Sequence, residues 1–218
     1  MAAGCFLSAE PRVATFLEIQ KCNLTCLPEN YPIKYFLQHH LKWPQLTYVC
    51  SVAGKVVGYV MGKIDDEDNP KLAHGHITSV AVHRDYRSMG IAEALMQQVL
   101  QEMRTTYGLP SCKLNVRVSN AGAQHVYKDM LGFELERLDE GYFQDKEDSQ
   151  FLNCDFTKAA VLNKLRPTIA CLDEADDSEE DVFISINGKP VITKESCKAQ
   201  LEEMLRDEQP MSSVVEEV

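Results

Sequence analysis

The sequence predicts an α/β protein in which helices flank a mixed β-sheet. Strand-like and helix-like hydrophobic patterns alternate along the first 158 of the 218 residues, which is typical of a parallel or mixed sheet covered by helices. Residues 75–95 show this pattern in its shortest form, because a buried strand passes through a glycine-bearing turn directly into an amphipathic helix. The hydrophobic fraction of 44% and the charged fraction of 25% are those of a globular domain.

The boundaries of these elements follow from periodicity and from proline and glycine. A first helix stops before Pro28 and a second at Trp43, each next to a proline that disfavours further helix. Ser119 or Asn120 can cap a later helix that Gly132 ends. The predicted helices are 13–27, 33–42, 91–106 and 120–131; the predicted strands are 46–52, 55–63, 75–82, 112–118, 133–138 and 150–156, with the first two joined as a hairpin and an acidic loop at 65–72.

The residues after 158 differ from the rest in charge. Residues 159–218 hold 6 basic and 14 acidic side chains, whereas the remainder holds 16 and 19, so most of the net charge of −11 belongs to this segment. Its acidic block at 173–181 predicts a solvated, disordered tail. Residues 182–192 are strand-like but isolated, and residues 195–206 can form a short amphipathic helix, solvated or docked on a partner. We therefore place the domain at 1–158 and the acidic tail at 159–218.

The composition argues against several classes of protein. The charge balance does not indicate the basic face that nucleic-acid binding requires. No apolar run reaches the roughly 18 residues that span a membrane. The N-terminal segment has neither the basic region nor the apolar length of a signal peptide. We expect a cytoplasmic protein, with the nucleus as a second compartment.

The eight cysteines do not form a metal-binding or disulfide pattern. None belongs to a Cys-x-x-Cys pair, and Cys22 and Cys26, one helical turn apart, lack a second pair of ligands at similar spacing. His74 and His76 share one face of a strand, but two ligands do not close a metal site. The sequence therefore predicts buried free thiols and no metal.

The turn at residues 87–92 is the first candidate binding site. It places Arg87 and Gly90 before a helix, whose unpaired N–H groups and dipole attract an anion. Its spacing differs from that of the P-loop and from Gly-x-Gly-x-x-Gly. The preceding strand could pair with the amide-bearing arm of a cofactor. The predicted cofactor-binding residues here are Val80, Ala81, Val82, Arg87, Ser88, Met89, Gly90, Ile91 and Ala92.

Further residues fit acyl transfer from a thioester to an amine, which needs a base for the ammonium and a proton source for the thiolate. Glu29, held between Pro28 and Pro32, is the candidate base. An α-amine needs only a modest base, because its pKa near 8 makes deprotonation at neutral pH cost about 1–1.5 kcal/mol. Tyr127, two turns into the helix after Asn120, is the candidate acid.

Each of these residues also has an interpretation without catalysis. Glu29 can be a solvated loop charge, Tyr127 at helical spacing can belong to the core, and Arg117 at the end of a strand can form a surface salt bridge. Cys112 could serve as an acyl-accepting nucleophile, but no motif ties a histidine to it, so we disfavour covalent catalysis.

Several longer segments make the chain recognisable. They are CNLTCLPENY at 22–31, WPQLTY at 43–48, GKVVGYV at 54–60, GHITSVAV at 75–82 and VRVSN at 116–120. Over residues 16–156 the chain closely resembles the catalytic subunits of the NatA N-terminal acetyltransferases, which belong to the GNAT superfamily. The LPENY loop is similar to that of NatA rather than NatB. The six-residue step from Tyr127 to Phe133 points the same way, since many GNAT proteins have five.

The resemblance implies a GNAT fold that binds acetyl-CoA between the strands at 75–82 and 112–118. The acetyl group would pass directly to the α-amine of a nascent polypeptide, with Glu29 in catalysis and substrate selection. The implied catalytic residues are Glu29, His76, Arg117 and Tyr127. Asn120 and Tyr127 join the turn in binding the cofactor. The 27–31 loop and the 141–143 segment would wall the peptide groove, with Leu27, Pro28, Glu29, Tyr31, Tyr142 and Phe143 as substrate-binding residues.

The resemblance also implies a partner. Members of this family pair with a large helical-repeat auxiliary subunit that brings them to the ribosome and its nascent chains. With that subunit they prefer polypeptides that start with Ser, Ala, Thr, Gly, Val or Cys; alone they favour acidic N-termini.

Two departures from the family bear on the site. Ser88 stands where a second arginine is usual, which removes one phosphate contact, and Phe143 replaces the second tyrosine of a pair, which removes a hydroxyl from the groove. Two alternatives stay open. One is a GNAT acetyltransferase that acts on lysine or on another class of N-terminus. The other is a catalytically weakened paralogue that serves as a binding subunit.

Overall fold

The computed structural model describes residues 5–8, 13–52, 55–69, 71–165, 182–186 and 189–193. Its main strands are β1 (Cys5–Ser8), β2 (Thr47–Val52), β3 (Lys55–Asp65), β4 (His74–Val82), β5 (Ser111–Arg117), β6 (Glu134–Asp139) and β7 (Ser149–Asp155). They form one sheet in the order β1-β2-β3-β4-β5-β7-β6. The helices are α1 (Val13–Cys26), α2 (Ile33–Lys42), α3 (Ile91–Thr105), α4 (Ala121–Gln124) and α5 (Ala159–Lys164). The predicted mixed sheet flanked by helices is confirmed.

The sheet opens between β4 and β5. These two strands are parallel, whereas all other neighbours in the sheet are antiparallel. They pair only where Gly75 faces Cys112 and His76 faces Lys113. From Ile77 onward, no described strand pairs with this edge of β4. Its backbone groups therefore face a gap, which we call the β4–β5 opening.

A bulge turns part of β4 towards the opposite face of the sheet. Met61 pairs with Ser79 and Gly62 with Ile77, so Thr78 is an extra residue in β4. The side chain of Thr78 is bonded to His39 of α2, and that of Ser79 is bonded to Tyr59. The bulge therefore directs two successive side chains towards the α1–α2 side.

Two hydrophobic clusters cover the two faces of the sheet. On one face α3 contributes a broad buried stripe, and Gly75 lets it approach closely, because a Cβ atom there would lie 2.3 Å from the Met103 sulfur. On the other face, α1 and α2 pack against β2, β3 and β4. The fully buried members of this second cluster include Ile19, Phe36 and Tyr59.

Most predicted boundaries lie within two residues of the observed ones, but one element differs in kind. The predicted helix at 120–131 divides into α4 and a π-helix, His125–Met130. The strand β3 extends through Asp65, the first residue of the predicted acidic loop. The turn of the predicted hairpin, at 53–54, lies outside the described residues.

The end of the domain lies beyond residue 158. In and directly after α5, Val161 and Leu165 are both 3% exposed and belong to the core cluster under α3. The predicted isolated strand at 182–192 consists of two antiparallel strands, β8 (Val182–Ile186) and β9 (Lys189–Thr193), which form a separate sheet. The acidic block at 173–181 and the predicted helix at 195–206 lie outside the described residues.

Five of the cysteines are free thiols: Cys22, Cys50, Cys112 and Cys154 are buried, and Cys26 is half-buried. Among the residues that the structure covers, no helix combines the length and apolar character needed to cross a membrane.

Candidate active site

The turn before α3 presents backbone amides to the β4–β5 opening. Ser88 and Gly90 adopt positive φ angles of 63° and 78°, and Gly90 begins α3 without a side-chain cap. The amides of Ile91 and Ala92 at the start of the helix are therefore available to an anion, as the sequence predicts. A non-glycine residue in this left-handed region costs about 1–2 kcal/mol, so Ser88 carries local strain.

Arg87 fastens this turn to the end of β4. Its Nε donates to the carbonyl oxygen of Val82 at 3.1 Å, which leaves the terminal guanidinium nitrogens able to reach a phosphate. Val80 is half-buried and Ala81 is buried, so both offer mainly backbone to the opening. The predicted cofactor-binding stretch is thus one continuous backbone surface with one cation at its end.

The centre of the site is a cluster of three carboxylates around Arg117. The guanidinium binds Glu29, which is 88 residues away in the sequence, and also Asp145 at 2.8 Å and Glu147 at 2.6 Å. Partial burial alone would lower the pKa of Arg117, but the hydrogen bonds that its guanidinium donates to Glu29, Glu147 and Asp145 outweigh burial and raise the pKa. The predicted salt bridge of Arg117 therefore exists, and its partner is the predicted base.

Aromatic side chains enclose this cluster from both loops. The Arg117 guanidinium carbon lies 4.1 Å from the centre of the Phe143 ring, and Tyr142 packs edge-on against Phe143 at 5.1 Å. On the facing side, Tyr31 stacks on Tyr35 at 4.7 Å. Burial raises the pKa of Tyr31, and Tyr35, Glu29 and Tyr142 make smaller contributions in the same direction. We call the space between the 27–31 loop and the 141–143 segment the peptide groove.

His76 lies on the α2 side of β4. Its Nδ1 is 3.6 Å from Asp65, but burial, together with the nearby Lys63 charge, lowers its pKa to about 4. The imidazole is therefore neutral at pH 7, and the contact with Asp65 is not an ion pair. No contact among the described residues joins His76 to Glu29 or Arg117, so any support from His76 would act through β4 itself.

The structure places Tyr127 in the core, one of the two interpretations made from the sequence. It is 7% exposed and packs on Phe133 at 5.9 Å, as a core residue does. Burial raises its pKa, which keeps the hydroxyl protonated at neutral pH. Because a thiol has a pKa near 8.5, such a phenol suits hydrogen bonding to a leaving thiolate better than full proton transfer. Asn120 caps α4 by accepting from the Ala123 amide at 3.1 Å, and its side-chain nitrogen stays available.

Cys112 is unsuited to covalent catalysis. Its thiol is 0% exposed, and burial raises its pKa well above the usual value. A thiolate is the nucleophilic form of cysteine, and burial suppresses it here. The structure thus agrees with the sequence-based preference for direct transfer.

Sequence reasoning missed three residues of the site. Asp145 and Glu147 bind Arg117 from the β6–β7 loop, and Glu147 also accepts from the Ser119 amide at 2.9 Å. The side-chain amide of Asn23 bonds the backbone of the 27–31 loop at Glu29 and Tyr31. The run of acids at 145–148 and an asparagine on the apolar stripe of α1 were the available signals, but both patterns also occur without any function.

These features define a class of protein before any comparison. A bulged strand beside an opening, an uncapped helix after a glycine turn and an acidic groove with aromatic walls suit a transferase. It would bind an extended anionic donor along β4 and an amine acceptor beside Glu29.

Known proteins agree with this assignment. The model of the acetyltransferase (GNAT) family matches residues 14–133, more than half of the chain, and the chain belongs to this family. It is 43% identical over 147 residues to the N-terminal acetyltransferase A complex catalytic subunit ard1 of Schizosaccharomyces pombe, a match that covers 67% of this chain and 83% of that protein. Ard1 from Thermoplasma volcanium is a similar solved structure, with a TM-score of 0.61, 27% identity and coverage of 69% and 96%. Another is the NatB acetyltransferase complex bound to CoA and MES, with a TM-score of 0.57, 29% identity and coverage of 67% and 96%.

Proposed function

We propose that this protein is an N-terminal acetyltransferase that transfers the acetyl group of acetyl-CoA to the α-amine of a polypeptide. The Glu29–Arg117 pair carries the proposal, because it joins a carboxylate of the 27–31 loop to the last residue of β5, one of the two strands that border the β4–β5 opening. Support comes from the similarity to the NatA catalytic subunit of Schizosaccharomyces pombe.

The residues of the opening fit acetyl-CoA, which supplies the acetyl group as a thioester. The amides at the start of α3 and the terminal nitrogens of Arg87 would hold the pyrophosphate. The free edge of β4 would hydrogen-bond the amide-bearing arm, as a sheet edge binds an added strand. The related NatB structure contains CoA, which supports this placement.

Glu29, Arg117 and Tyr127 would then have separate roles in the transfer. Glu29 accepts a proton from the substrate ammonium, directly or through water, and the free amine attacks the thioester carbon. Arg117 keeps its two other carboxylates while Glu29 turns to the substrate, so its charge stays compensated. The carbon–sulfur bond breaks, the attacking nitrogen gives its second proton to the leaving thiolate or to water, and Tyr127 donates a hydrogen bond to the thiolate.

The strength of this base favours α-amines over lysine. With reference pKa values near 8 and 10.4, deprotonation at pH 7 costs about 1–1.5 kcal/mol for an α-amine and about 4.6 kcal/mol for a lysine side chain. A carboxylate is in general a modest base and suits the first case. The lysine-acetylating alternative would require a stronger one.

We further propose a NatA-type assembly. In this proposal the protein pairs with a helical-repeat auxiliary subunit, works at the ribosome in the cytoplasm and acts on chains that begin with Ser, Ala, Thr, Gly, Val or Cys. Without the subunit it would favour acidic starts. The relative in Schizosaccharomyces pombe is named as a subunit of a complex, which supports this idea.

The test is an acetylation assay read by mass spectrometry. Peptides starting with Ser, Glu or Met are compared with a peptide whose N-terminus is blocked and which carries one lysine. We expect acetylation of free N-termini, with Glu favoured by the isolated protein and Ser favoured when the auxiliary subunit is added. Modification of lysine alone would overturn the proposal. Binding of acetyl-CoA without turnover on any peptide would favour the weakened paralogue.

A further inference from the structure

A buried polar side chain on α1 holds the loop that carries Glu29. Asn23 is 0% exposed. Its Nδ2 donates to the backbone oxygen of Glu29 at 3.1 Å, and its Oδ1 accepts from the backbone amide of Tyr31 at 3.3 Å. One side chain thus fixes the backbone on both sides of Asn30.

The same side chain connects the loop to the sheet. Nδ2 of Asn23 also donates to the Tyr59 hydroxyl at 3.0 Å, and that hydroxyl lies 2.7 Å from Oγ of Ser79. Tyr59 and Ser79 are 0% and 6% exposed. Ser79 follows the bulge residue Thr78 in β4, the strand that borders the opening. Asn23, Tyr59 and Ser79 therefore form a continuous path from Glu29 to β4, which we call the buried relay.

The surroundings of the buried relay are otherwise apolar. It lies among members of the α1–α2 cluster, including Phe16, Ile19 and Phe36. Polar groups in such a place are costly unless every one is bonded, and bonded networks hold one geometry. Besides the Glu29–Arg117 pair, the 27–31 loop has two longer side-chain bonds: Gln20 donates to the Tyr31 oxygen at 3.4 Å, and the exposed Asn30 donates to the nearby Pro28 oxygen at 3.3 Å.

We propose that Asn23 is a positioning residue that, through Tyr59 and Ser79, fixes the carboxylate of Glu29 relative to the edge of β4. This inference rests on the proposed function, because it explains the fixed position of Glu29 by the role of Glu29 as the catalytic base. Glu29 is carried by the 27–31 loop, whereas the thioester would lie beside the strand β4. The buried relay sets the distance between them.

The kinetic test uses Asn23→Ala and Tyr59→Phe in the full-length protein. A displacement of about 1 Å can cost about 10²-fold in rate, so we expect kcat to fall by about 10- to 100-fold in Asn23→Ala and by less in Tyr59→Phe. The KM for acetyl-CoA should stay within about two-fold in both. Tyr59→Phe keeps the ring and the bonds between Asn23 and the loop, so it remains informative if Asn23→Ala does not fold.

Two matched controls separate positioning from loss of stability. Thr25→Ala removes an exposed hydroxyl, bonded to the Lys21 oxygen, from the same helix. Val161→Ala removes buried carbon atoms in α5, where it lowers stability outside the relay. Both should keep the kcat of the wild type.

The dependence of kcat on pH gives a signature that instability does not produce. If Asn23→Ala misplaces the base, its deficit should shrink between about pH 7 and pH 9, where an α-amine with a pKa near 8 loses its proton unaided. Wild-type kcat in Asn23→Ala, or a deficit independent of pH, would overturn the inference.

A second measurement does not depend on activity. Hydrogen exchange of the Tyr31 amide, followed by NMR, should accelerate by about 10-fold or more in Asn23→Ala and stay unchanged in Thr25→Ala. Unchanged exchange in Asn23→Ala would overturn the inference. If the wild type acetylates no peptide while Tyr31 exchange still depends on Asn23, then the proposed function fails and the positioning of the loop stands.

Discussion

Replacing Glu29 by Gln removes the proposed base while keeping the shape of the site. The amide oxygen of Gln can still accept from Arg117, and Arg117 keeps Asp145 at 2.8 Å and Glu147 at 2.6 Å. The Glu29 side chain is 35% exposed, so solvent screens its ion pair. We therefore expect the free energy of unfolding to change by about 1 kcal/mol or less.

The effect on turnover should be much larger. A positioned general base contributes about 10²- to 10⁴-fold. Because an α-amine loses its proton at pH 7 for only about 1–1.5 kcal/mol, the lower end of this range applies, and we expect kcat to fall about 10²-fold. Near pH 9 most of the amine is already free, so the deficit should shrink towards about 10-fold. Acetyl-CoA affinity should stay within about two-fold, since Glu29 lies in the peptide groove.

The assay follows acetylation of a Ser-starting peptide between about pH 6.5 and pH 9, with acetyl-CoA affinity measured by calorimetry. Glu18→Gln is the matched control, because Glu18 is also 35% exposed and is paired with Lys21 on α1. It should behave as the wild type. Wild-type turnover in Glu29→Gln, or a deficit that is the same at every pH, would refute the role assigned to Glu29.

Four further predictions concern other parts of the chain. Ser88→Arg adds a cation beside the amides of the turn and should tighten acetyl-CoA binding by about 5- to 10-fold in calorimetry at low salt, and by less at high salt; unchanged affinity would contradict it. Tyr127→Phe should lower kcat by about 10-fold or more. The free energy of unfolding should change by about 1 kcal/mol or less, because no described residue bonds the Tyr127 hydroxyl; wild-type kcat would contradict the role assigned to Tyr127. Leu165→Ala should lower the free energy of unfolding in urea by about 2–4 kcal/mol without changing kcat, since Leu165 is 3% exposed. An unchanged free energy of unfolding would show that Leu165 does not belong to the domain core. The buried His39 and the half-buried His76 have pKa values lowered to about 4, mainly by desolvation, against about 6.5 in the unfolded chain, so the free energy of unfolding should fall as the pH drops from about 6.5 towards 4. Urea unfolding across this window should give a smaller dependence of this free energy on pH in His39→Gln, and an equal dependence would contradict the assignment.

Local signals predicted the elements well where proline or glycine fixed the ends. The helix α2 runs from Ile33 to Lys42 as predicted, because Pro32 precedes it and Pro44 follows Trp43. The boundary predicted at residue 158 depends on a change in charge, and charge does not indicate which apolar side chains pack in the core. The apolar residues Val161 and Leu165 continue the core beyond it.

The site was predicted less completely, because its geometry depends on contacts between distant segments. A loop acid such as Asp145 or Glu147 has the same sequence pattern whether it is solvated or bound to a guanidinium. Their partner, Arg117, lies about 30 residues away, and Glu29 lies 88 residues from it. The loop pattern predicts Glu29 and the resemblance implies Arg117 as a catalytic residue, but neither indicates the two acids that share Arg117 with Glu29.

The π-helix accounts for a feature of the sequence that does not by itself predict a wide turn. The six-residue step from Tyr127 to Phe133 has a structural counterpart, because the Leu131 amide bonds the Val126 oxygen at 3.1 Å and the Phe133 amide bonds the Tyr127 oxygen at 2.9 Å. In a regular α-helix, six residues would rotate Phe133 about 240° away from Tyr127. The wide turn instead leaves the two rings in contact and Tyr127 in the core.

The geometry also separates the consequences of the two departures from the family. Ser88 lies in the backbone turn that would hold the pyrophosphate, so a change there acts on cofactor affinity and leaves the proton chemistry intact. Phe143 contacts Arg117 through the face of its ring at 4.1 Å, a contact that needs no hydroxyl. The carboxylate cluster around Arg117 is complete despite both changes. The departures therefore argue for altered binding of acetyl-CoA or peptide, and they give little support to a protein that has lost its catalytic residues.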